Sequence, residues 1–292
     1  MSMVTTRPSD LGSEVAEFIR DTMRRATGGA NVATYLEGDP PVEWRTLSEA
    51  GWDCVGVVED DDSATLRDLV EIALAWGDTL IQLPLIPTIV AKRHATAALE
   101  HEGPVTFSIH TQTIADGFGC IPFGQAEGVL VLESFESGAG GLVVSGAEPE
   151  PYAASLRATI APVLTAFSDE AAYELKTVWA AEAAGVAKRV LADAVEFTKQ
   201  REQFGRPIGS FQAVKHHLAN AHVAVQIAET AAIWASLERK NADLAVRTSF
   251  EESLKSLQLS TQVYGGLGFT WEMGVHFALR HVTMLRELSS GL

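Results

Sequence analysis

The second half of the chain places apolar residues at a helical period over long stretches. This pattern predicts helices at about 170–200, 212–238, 242–265 and 274–288, joined by short turns. Long helices with short connections form antiparallel bundles. We therefore predict a C-terminal domain over residues 151–292 that contains a four-helix bundle.

The first hundred residues also follow a helical pattern, in three shorter amphipathic segments. These are "SEVAEFIRDTMRRA" from residue 13, "VEWRTLSEAGW" and "ATLRDLVEIALAWGDTL". Gly28 would end the first helix, and Asp62 or Ser63 would cap the third. The pattern predicts a helical N-terminal domain over residues 1–100.

Between these zones the period changes to one that is typical of strands. The segments "PVTFSIHT", "GVLVLESF" and "GGLVVSG" are short, rich in β-branched residues and bounded by glycine. So few strands cannot close a large barrel, and another element must cover one of their faces. We predict a reduced β region over residues 101–150 and a mainly α fold for the whole chain.

Composition and charge narrow the range of partners. The chain has 292 residues, 47% hydrophobic and 21% charged, with a net charge of −16, which is typical of soluble globular proteins. Such an acidic chain has no basic field for nucleic acid or anionic membranes. The most apolar run, "LIQLPLIPTIVA", is too short to span a bilayer. With no signal-type N-terminus and no pairing pattern in Cys54 and Cys120, we expect a cytoplasmic protein.

The long helix at 170–200 carries one apolar stripe, with Trp179 at its centre. Glu182 lies about 60° from that centre and Glu174 on the far side, at 100° per residue. Glu182 is therefore the acidic residue that we expect to be partly buried. Two interpretations stay open: a carboxylate with a catalytic role, or one paired with a Lys or Arg of a neighbouring helix. The stripe also contains Leu175, Val186, Val190 and Phe197.

The stretch "REQFGRPIGSFQ" separates this helix from the next. Helix capping accounts for its Gly205, Pro207 and Ser210, and a helix dipole favours Arg201 at a C-terminus. Capping does not account for Gln203, Phe204 and Gln212. A guanidinium, an aromatic ring and two amides suit a planar ligand that carries phosphate. Ordinary packing is the alternative.

A second glycine-rich segment, "TQVYGGLGFTWE", follows a helical run near the end of the chain. No strand precedes it, so it is not a dinucleotide-binding fingerprint. It either ends the helix or lets a ligand or another backbone come close. His216, His217 and His222 lie close together but lack any metal-binding motif, so we expect no metal.

Together the two segments resemble the C-terminal domain of the acyl-CoA dehydrogenase family. That family carries Arg-x-x-Phe-Gly, then Phe/His-Gln, and later Gln-x-x-Gly-Gly-x-Gly followed by an aromatic residue. The matching residues here are Arg201, Phe204, Gly205, Phe211, Gln212, Gln262, Gly265, Gly266, Gly268 and Phe269. The segment "WRTLSEAGWDCVGVVED" is a weaker match to the family's N-terminal region.

The resemblance implies a helical N-terminal domain, a β middle domain and a four-helix C-terminal domain. It implies removal of the α and β hydrogens of an acyl-CoA, with FAD as cofactor and electron-transfer flavoprotein or a similar acceptor. The implied FAD contacts, made across a subunit interface, are Arg201, Gln203, Phe204, Gln212, Gln262, Gly265 and Gly266.

The sequence also departs from the family pattern. The β region is short, and the two positions where the family carries its catalytic base hold Ser289 and Leu175. Glu287 is two residues early. We therefore expect one subunit of a heteromeric enzyme of the kind that acts on steroid-derived acyl-CoA, whose larger acyl-CoA dehydrogenase-like partner supplies the base. The alternatives are an autonomous homo-oligomeric enzyme with Glu182 as base, and a structural subunit without flavin contacts.

Overall fold

The computed structural model describes residues 6–28, 41–57, 63–111, 118–124, 126–135, 141–143, 159–161 and 164–292. Most of these residues are helical, as the sequence predicts. The helices of the described ranges are α1 (Asp10–Thr27), α2 (Trp44–Glu49), α3 (Leu66–Thr79), α4 (Leu85–His94), α5 (Thr96–Leu99), α6 (Asp169–Gln200), α7 (Gln212–Leu237), α8 (Ala242–Tyr264) and α9 (Val275–Ser290). None of them is long and apolar enough to cross a membrane.

The last four helices form the predicted bundle. Their bounds agree with the predicted ranges to within about two residues. The 32-residue helix α6 is the centre of the molecule, because it packs against α3, α4, α7, α8 and α9. Its predicted stripe is buried around Trp179, which has no exposed surface.

Helices α3 and α6 cross at two glycines. A Cβ atom on Gly185 would meet the backbone of Leu74 and Asp78, and one on Gly77 would meet the backbone of Glu182 and Val186. Both glycines therefore let two backbones approach more closely than alanines would. This contact joins the N-terminal helices to the bundle.

Several predicted helix ends were wrong. Helix α1 begins at Asp10 because the Ser9 side chain accepts a hydrogen bond from the Gly12 N–H, so the cap lies four residues before Ser13. Helix α3 is capped by Thr65, which forms a capping box with Asp68. Ser63 does not cap it, and Asp62 lies outside the described residues.

Helix α4 was not predicted, because Pro84 and Pro87 interrupt the apolar run in which it lies. It begins directly after Pro84, and Pro87 lies in its first turn. The N–H groups of a first turn have no partner within the helix, so proline is tolerated there. The prolines mark the start of this helix.

The β region is small, as predicted, but it includes strands that the pattern missed. Strand β1 (Val105–Phe107) pairs in parallel with β3 (Leu130–Leu132), which pairs antiparallel with β4 (Gly141–Val143). The unpredicted strands β2 (Gly119–Ile121) and β5 (Thr159–Ala161) pair with each other. Strand β5 lies where only helices were expected, so strands occur on both sides of residue 150. The domain bounds stay a prediction.

Candidate cofactor-binding site

Helix α6 ends in a β-hairpin. Arg201 has an extended backbone, and its N–H donates to the Phe197 carbonyl over 2.9 Å while its carbonyl accepts from the Ile208 N–H over 2.8 Å. The first bond ends helix α6, and the second extends the antiparallel pair between β6 (Glu202–Gln203) and β7 (Arg206–Pro207). Gly205 lies in the hairpin turn, so the expectation that it caps α6 was wrong.

The hairpin turn holds Phe204 in a conformation that is costly for its residue type. Phe204 and Gly205 have φ values of +54° and +74°, as in a type I′ turn, where Asn-Gly is preferred. The left-handed region costs a residue with a Cβ atom roughly 1–2 kcal/mol. The Phe204 side chain is 93% exposed and touches Phe211 only edge-on, with ring centroids 6.1 Å apart. Stability does not explain this phenylalanine, and strained residues cluster at functional sites.

Helix α7 starts beside this turn without a side-chain cap. Its N-cap is Phe211, whose side chain cannot accept a hydrogen bond, so the expectation that Ser210 caps the helix was wrong. Gln212, the first residue of α7, is exposed. The Arg206 guanidinium lies 4.1 Å from the centre of the Phe211 ring. The uncapped N–H groups of α7 and the nearby guanidinium groups carry positive charge. This end of an otherwise acidic chain therefore favours an anion.

The glycine segment follows the last residue of α8. Gly265 has φ 60° and ψ −138°, a conformation that favours glycine, and its N–H donates to the Gln262 carbonyl. A Cβ atom on Gly268 would lie 2.7 Å from the Thr261 carbonyl oxygen, so packing requires glycine there. At Gly266 a Cβ atom would have no neighbour within 4 Å. Packing within the described chain therefore gives no reason for Gly266, which leaves room for a ligand or another chain.

The structure brings the two segments to the same end of the bundle. Phe197, in the last turn of α6, and Tyr264, the last residue of α8, have ring centroids 4.7 Å apart. The hairpin and the glycine segment leave the bundle from these two helix ends. The site residues expected from the sequence are all exposed on the single chain: Arg201, Gln203, Phe204, Gln212, Gln262, Gly265 and Gly266.

Glu182 is buried in the bundle, which confirms the expectation of burial. Its Oε1 lies 2.8 Å from Nε2 of His281 on α9. The partner is thus a histidine, where the sequence suggested Lys or Arg. The adjoining cavity has a volume of about 10 Å³, which is enough for one water molecule at most. This arrangement leaves no space for an acyl group beside Glu182.

Glu174 is buried as well, so the expectation that Glu182 alone would be the buried acid of this helix was wrong, although Glu174 lies on the side of α6 away from Trp179. It lies 3.1 Å from Arg93 Nε and 2.8 Å from His94 Nε2, both on α4. Arg93 also donates to the carbonyls of Gly56 and Ala64, each over 2.9 Å. A helix that is packed on several sides has more buried positions than one apolar stripe reveals.

Neither family base position carries an acid. Leu175 is a core residue with no exposed surface. Ser289 is buried, and its hydroxyl has no hydrogen-bond partner among the described residues. Glu287 forms an ion pair with Arg286 over 3.0 Å. These observations agree with the departures seen in the sequence.

Comparison with known proteins identifies the family. Residues 170–289, which contain the hairpin and the glycine segment, match the model of the acyl-CoA dehydrogenase C-terminal domain. FadE34 of Mycobacterium tuberculosis, an acyl-CoA dehydrogenase, is 30% identical over 93% of this chain. Residues 170–289 belong to the acyl-CoA dehydrogenase C-terminal domain family. The chain spans 45% of the length of FadE34.

Solved structures show that the rest of the chain shares the family fold. One is the ChsE4-ChsE5 complex of Mycobacterium tuberculosis, with a TM-score of 0.76 and 18% identity over 98% of this chain and 95% of the other. Another is the Tcur3481-Tcur3483 steroid ACAD, with a TM-score of 0.63 and 22% identity over 94% and 93%. The acyl-CoA dehydrogenase-like fold inferred from the sequence is confirmed.

Proposed function

We propose that this chain is one subunit of an FAD-dependent acyl-CoA dehydrogenase that forms an α,β double bond in an acyl-CoA thioester. The observation that carries the proposal is the turn at Phe204, which is strained, fully exposed and placed beside an uncapped helix start. Such a turn lowers the stability of the chain, and strain of this kind is typical of binding sites.

The exposed residues at this end of the bundle fit FAD chemically. The Arg201 guanidinium and the first N–H groups of α7 suit the pyrophosphate. Phe204 offers a flat aromatic face, and the side-chain amides of Gln203, Gln212 and Gln262 offer hydrogen bonds to ring or ribose atoms. Gly265 and Gly266 let the cofactor reach the backbone. FAD, when bound, supplies the acceptor for the hydride that leaves the β carbon.

The same residues require a second polypeptide. All of them are exposed, so this chain alone covers only one side of the cofactor. Leu175 and Ser289 hold the family base positions, so the carboxylate that removes the α proton comes from the partner. The proposed partner is a larger acyl-CoA dehydrogenase-like subunit. The ChsE4-ChsE5 complex supports it.

The substrate and the electron acceptor are proposed from relatives and from the family resemblance. The Tcur3481-Tcur3483 relative is a steroid ACAD, which supports a steroid-derived acyl-CoA thioester as substrate. Electron-transfer flavoprotein or a similar protein would reoxidise the flavin, and the enzyme would be cytoplasmic.

The first test is the flavin content of the complex after Arg201→Ala. A hydrogen bond to a charged group contributes about 1.5–3 kcal/mol, so we expect FAD affinity to fall about 10- to 150-fold. Lys199→Ala is the matched control, because Lys199 is exposed two residues earlier and pairs only with Glu196. Absorbance near 450 nm and the mass of the complex would be measured together.

Two results would overturn the proposal. If the complex that carries Arg201→Ala keeps its full flavin content, this chain is a structural subunit. If the isolated chain binds stoichiometric FAD and oxidises acyl-CoA, it is an autonomous enzyme and needs no partner. Variants at Glu182 would then become the next experiment.

A further inference from the structure

The cavity beside the Glu182–His281 pair lies between the N-terminal helices and the bundle. Its volume of about 10 Å³ is close to the space that one water molecule needs. Apolar side chains such as Trp76 and Phe277 form most of its wall, and the polar residues of the wall are Gln82, Glu182 and His281. A cavity with this wall has room for one small molecule and polar groups to hold it.

Two polar atoms of the residues in this wall are covered from solvent and lack a hydrogen-bond partner. They are Nδ1 of His281, whose side chain is only 8% exposed, and Oε1 of Gln82. Neither atom has a partner among the described residues. Buried polar groups of native proteins are nearly always paired, with protein or with ordered water. Two such atoms beside one cavity therefore indicate a bound molecule.

The two atoms do not satisfy each other when the histidine is neutral. Nε2 of His281 lies 2.8 Å from Oε1 of Glu182, and a carboxylate only accepts, so Nε2 carries the ring proton and donates it. Nδ1 of a neutral ring is then an acceptor, and Oε1 of Gln82 is an acceptor as well. Two acceptors need a molecule between them that donates to both.

We propose that the cavity is a binding site for one water molecule, which bridges His281 and Gln82. Its two O–H groups donate to Nδ1 and to Oε1, and its size matches the cavity. If His281 takes up a second proton, the same water accepts from the Nδ1–H group and still donates to Gln82. Ammonium is a poorer occupant, because it brings a net charge into a mostly apolar wall and has more N–H groups than the two acceptors satisfy.

The water connects three separate parts of the chain. Glu182 belongs to α6, His281 to α9, and Gln82 to the short connection between α3 and α4. That connection starts with Leu80, which has a φ of +57°, a conformation that is costly for leucine. The series Glu182, His281, water and Gln82 compensates for this cost by holding the connection against the bundle. The site is independent of the cofactor, so it does not rest on the proposed function.

The test is a crystal structure of the full chain, alone or in its complex, at a resolution at which other buried waters are visible. We expect one isolated density peak at about 2.7–3.2 Å from both Nδ1 and Oε1. A thallium(I) soak, followed by anomalous scattering, distinguishes a cation from water. Gln82→Met keeps the side-chain length but removes the amide, so the peak should be lost and the folded-to-unfolded ratio should fall about 5- to 30-fold. Gln258→Met is the matched control, since Gln258 is exposed on α8.

Several results would overturn the water site. The inference is wrong if the native cavity shows no density, if the Gln82 amide donates directly to Nδ1, or if thallium(I) binds there. It is also wrong if the peak persists in Gln82→Met, or if urea unfolds Gln82→Met no more readily than Gln258→Met. The native crystal structure decides the question even where Gln82→Met fails to fold. None of these results bears on flavin content, so the proposed function is tested separately.

Discussion

Replacing Gly185 by alanine tests the contact between α3 and α6. A Cβ atom there would lie 3.0 Å from the Leu74 carbonyl carbon, 3.1 Å from the Asp78 nitrogen and closer still to the Leu74 oxygen. All three atoms belong to the backbone of α3, so no side chain can rotate away. The two helices must separate to accept the methyl group.

The size of the effect follows from two opposing contributions. The Leu74 oxygen is the closest of the three atoms, and a carbon–oxygen contact needs about 3.3 Å or more, so the helices must move apart by roughly 1 Å or more. An extra methylene in a packed core costs about 1–3 kcal/mol, and we take the upper end because backbone atoms are met. Alanine gains up to about 1 kcal/mol over glycine inside a helix. The net loss should be about 2 kcal/mol.

Urea unfolding followed by circular dichroism measures this loss, with Ala192→Gly as the matched control on the same helix. Ala192 is exposed, so its replacement should cost about 1 kcal/mol from helix propensity alone. Adding Gly77→Ala to Gly185→Ala should cost less than the sum of the two, because the first change already separates the helices. A Gly185→Ala variant more stable than the native chain would refute the close contact.

Two further predictions concern the hairpin turn at Phe204 and the capping box of helix α3. Phe204→Asn should leave stability unchanged or raise it by up to about 1 kcal/mol, since asparagine tolerates a positive φ, while flavin content falls; a melt and a flavin spectrum check this. Burial alone would raise the pKa of Asp68, but hydrogen bonds from Thr65 and Ser9 outweigh it and lower the pKa. The stability that this gives is complete above about pH 4 and is lost as pH falls through the lowered pKa. Asp68→Asn should therefore cost about 1–2 kcal/mol at pH 7 and less at pH 3, as measured by urea unfolding at both values.

The bundle was predictable because its helices are long. Over about 25 residues an apolar stripe repeats many times, so local exceptions such as Glu182 do not hide the period. The ends of α6 and α8 were also clear, since a hairpin and a glycine segment interrupt the pattern there. The length of the four bundle helices therefore made them recognisable from a single sequence.

Short elements were missed where tertiary contacts decide the structure. The three-residue strands β2 and β5 pair with each other across about forty residues, and neither carries enough alternation to be recognised alone. The burial of Glu174 was not predicted, because it depends on Arg93 and His94 of α4. A single helix pattern contains no information about such distant partners.

The residue types were enough to predict the candidate site, whereas the strain at Phe204 is visible only in the backbone of the structure. Sequence alone shows that capping leaves Phe204 and Gln212 unexplained. The structure adds that Phe204 is strained and solvent-facing, and that Gln212 shares a helix face with the exposed Val223 and Ile227. Strain and exposed apolar surface both lower the stability of an isolated chain. The proposed docking of a second subunit over a shared flavin would compensate for both.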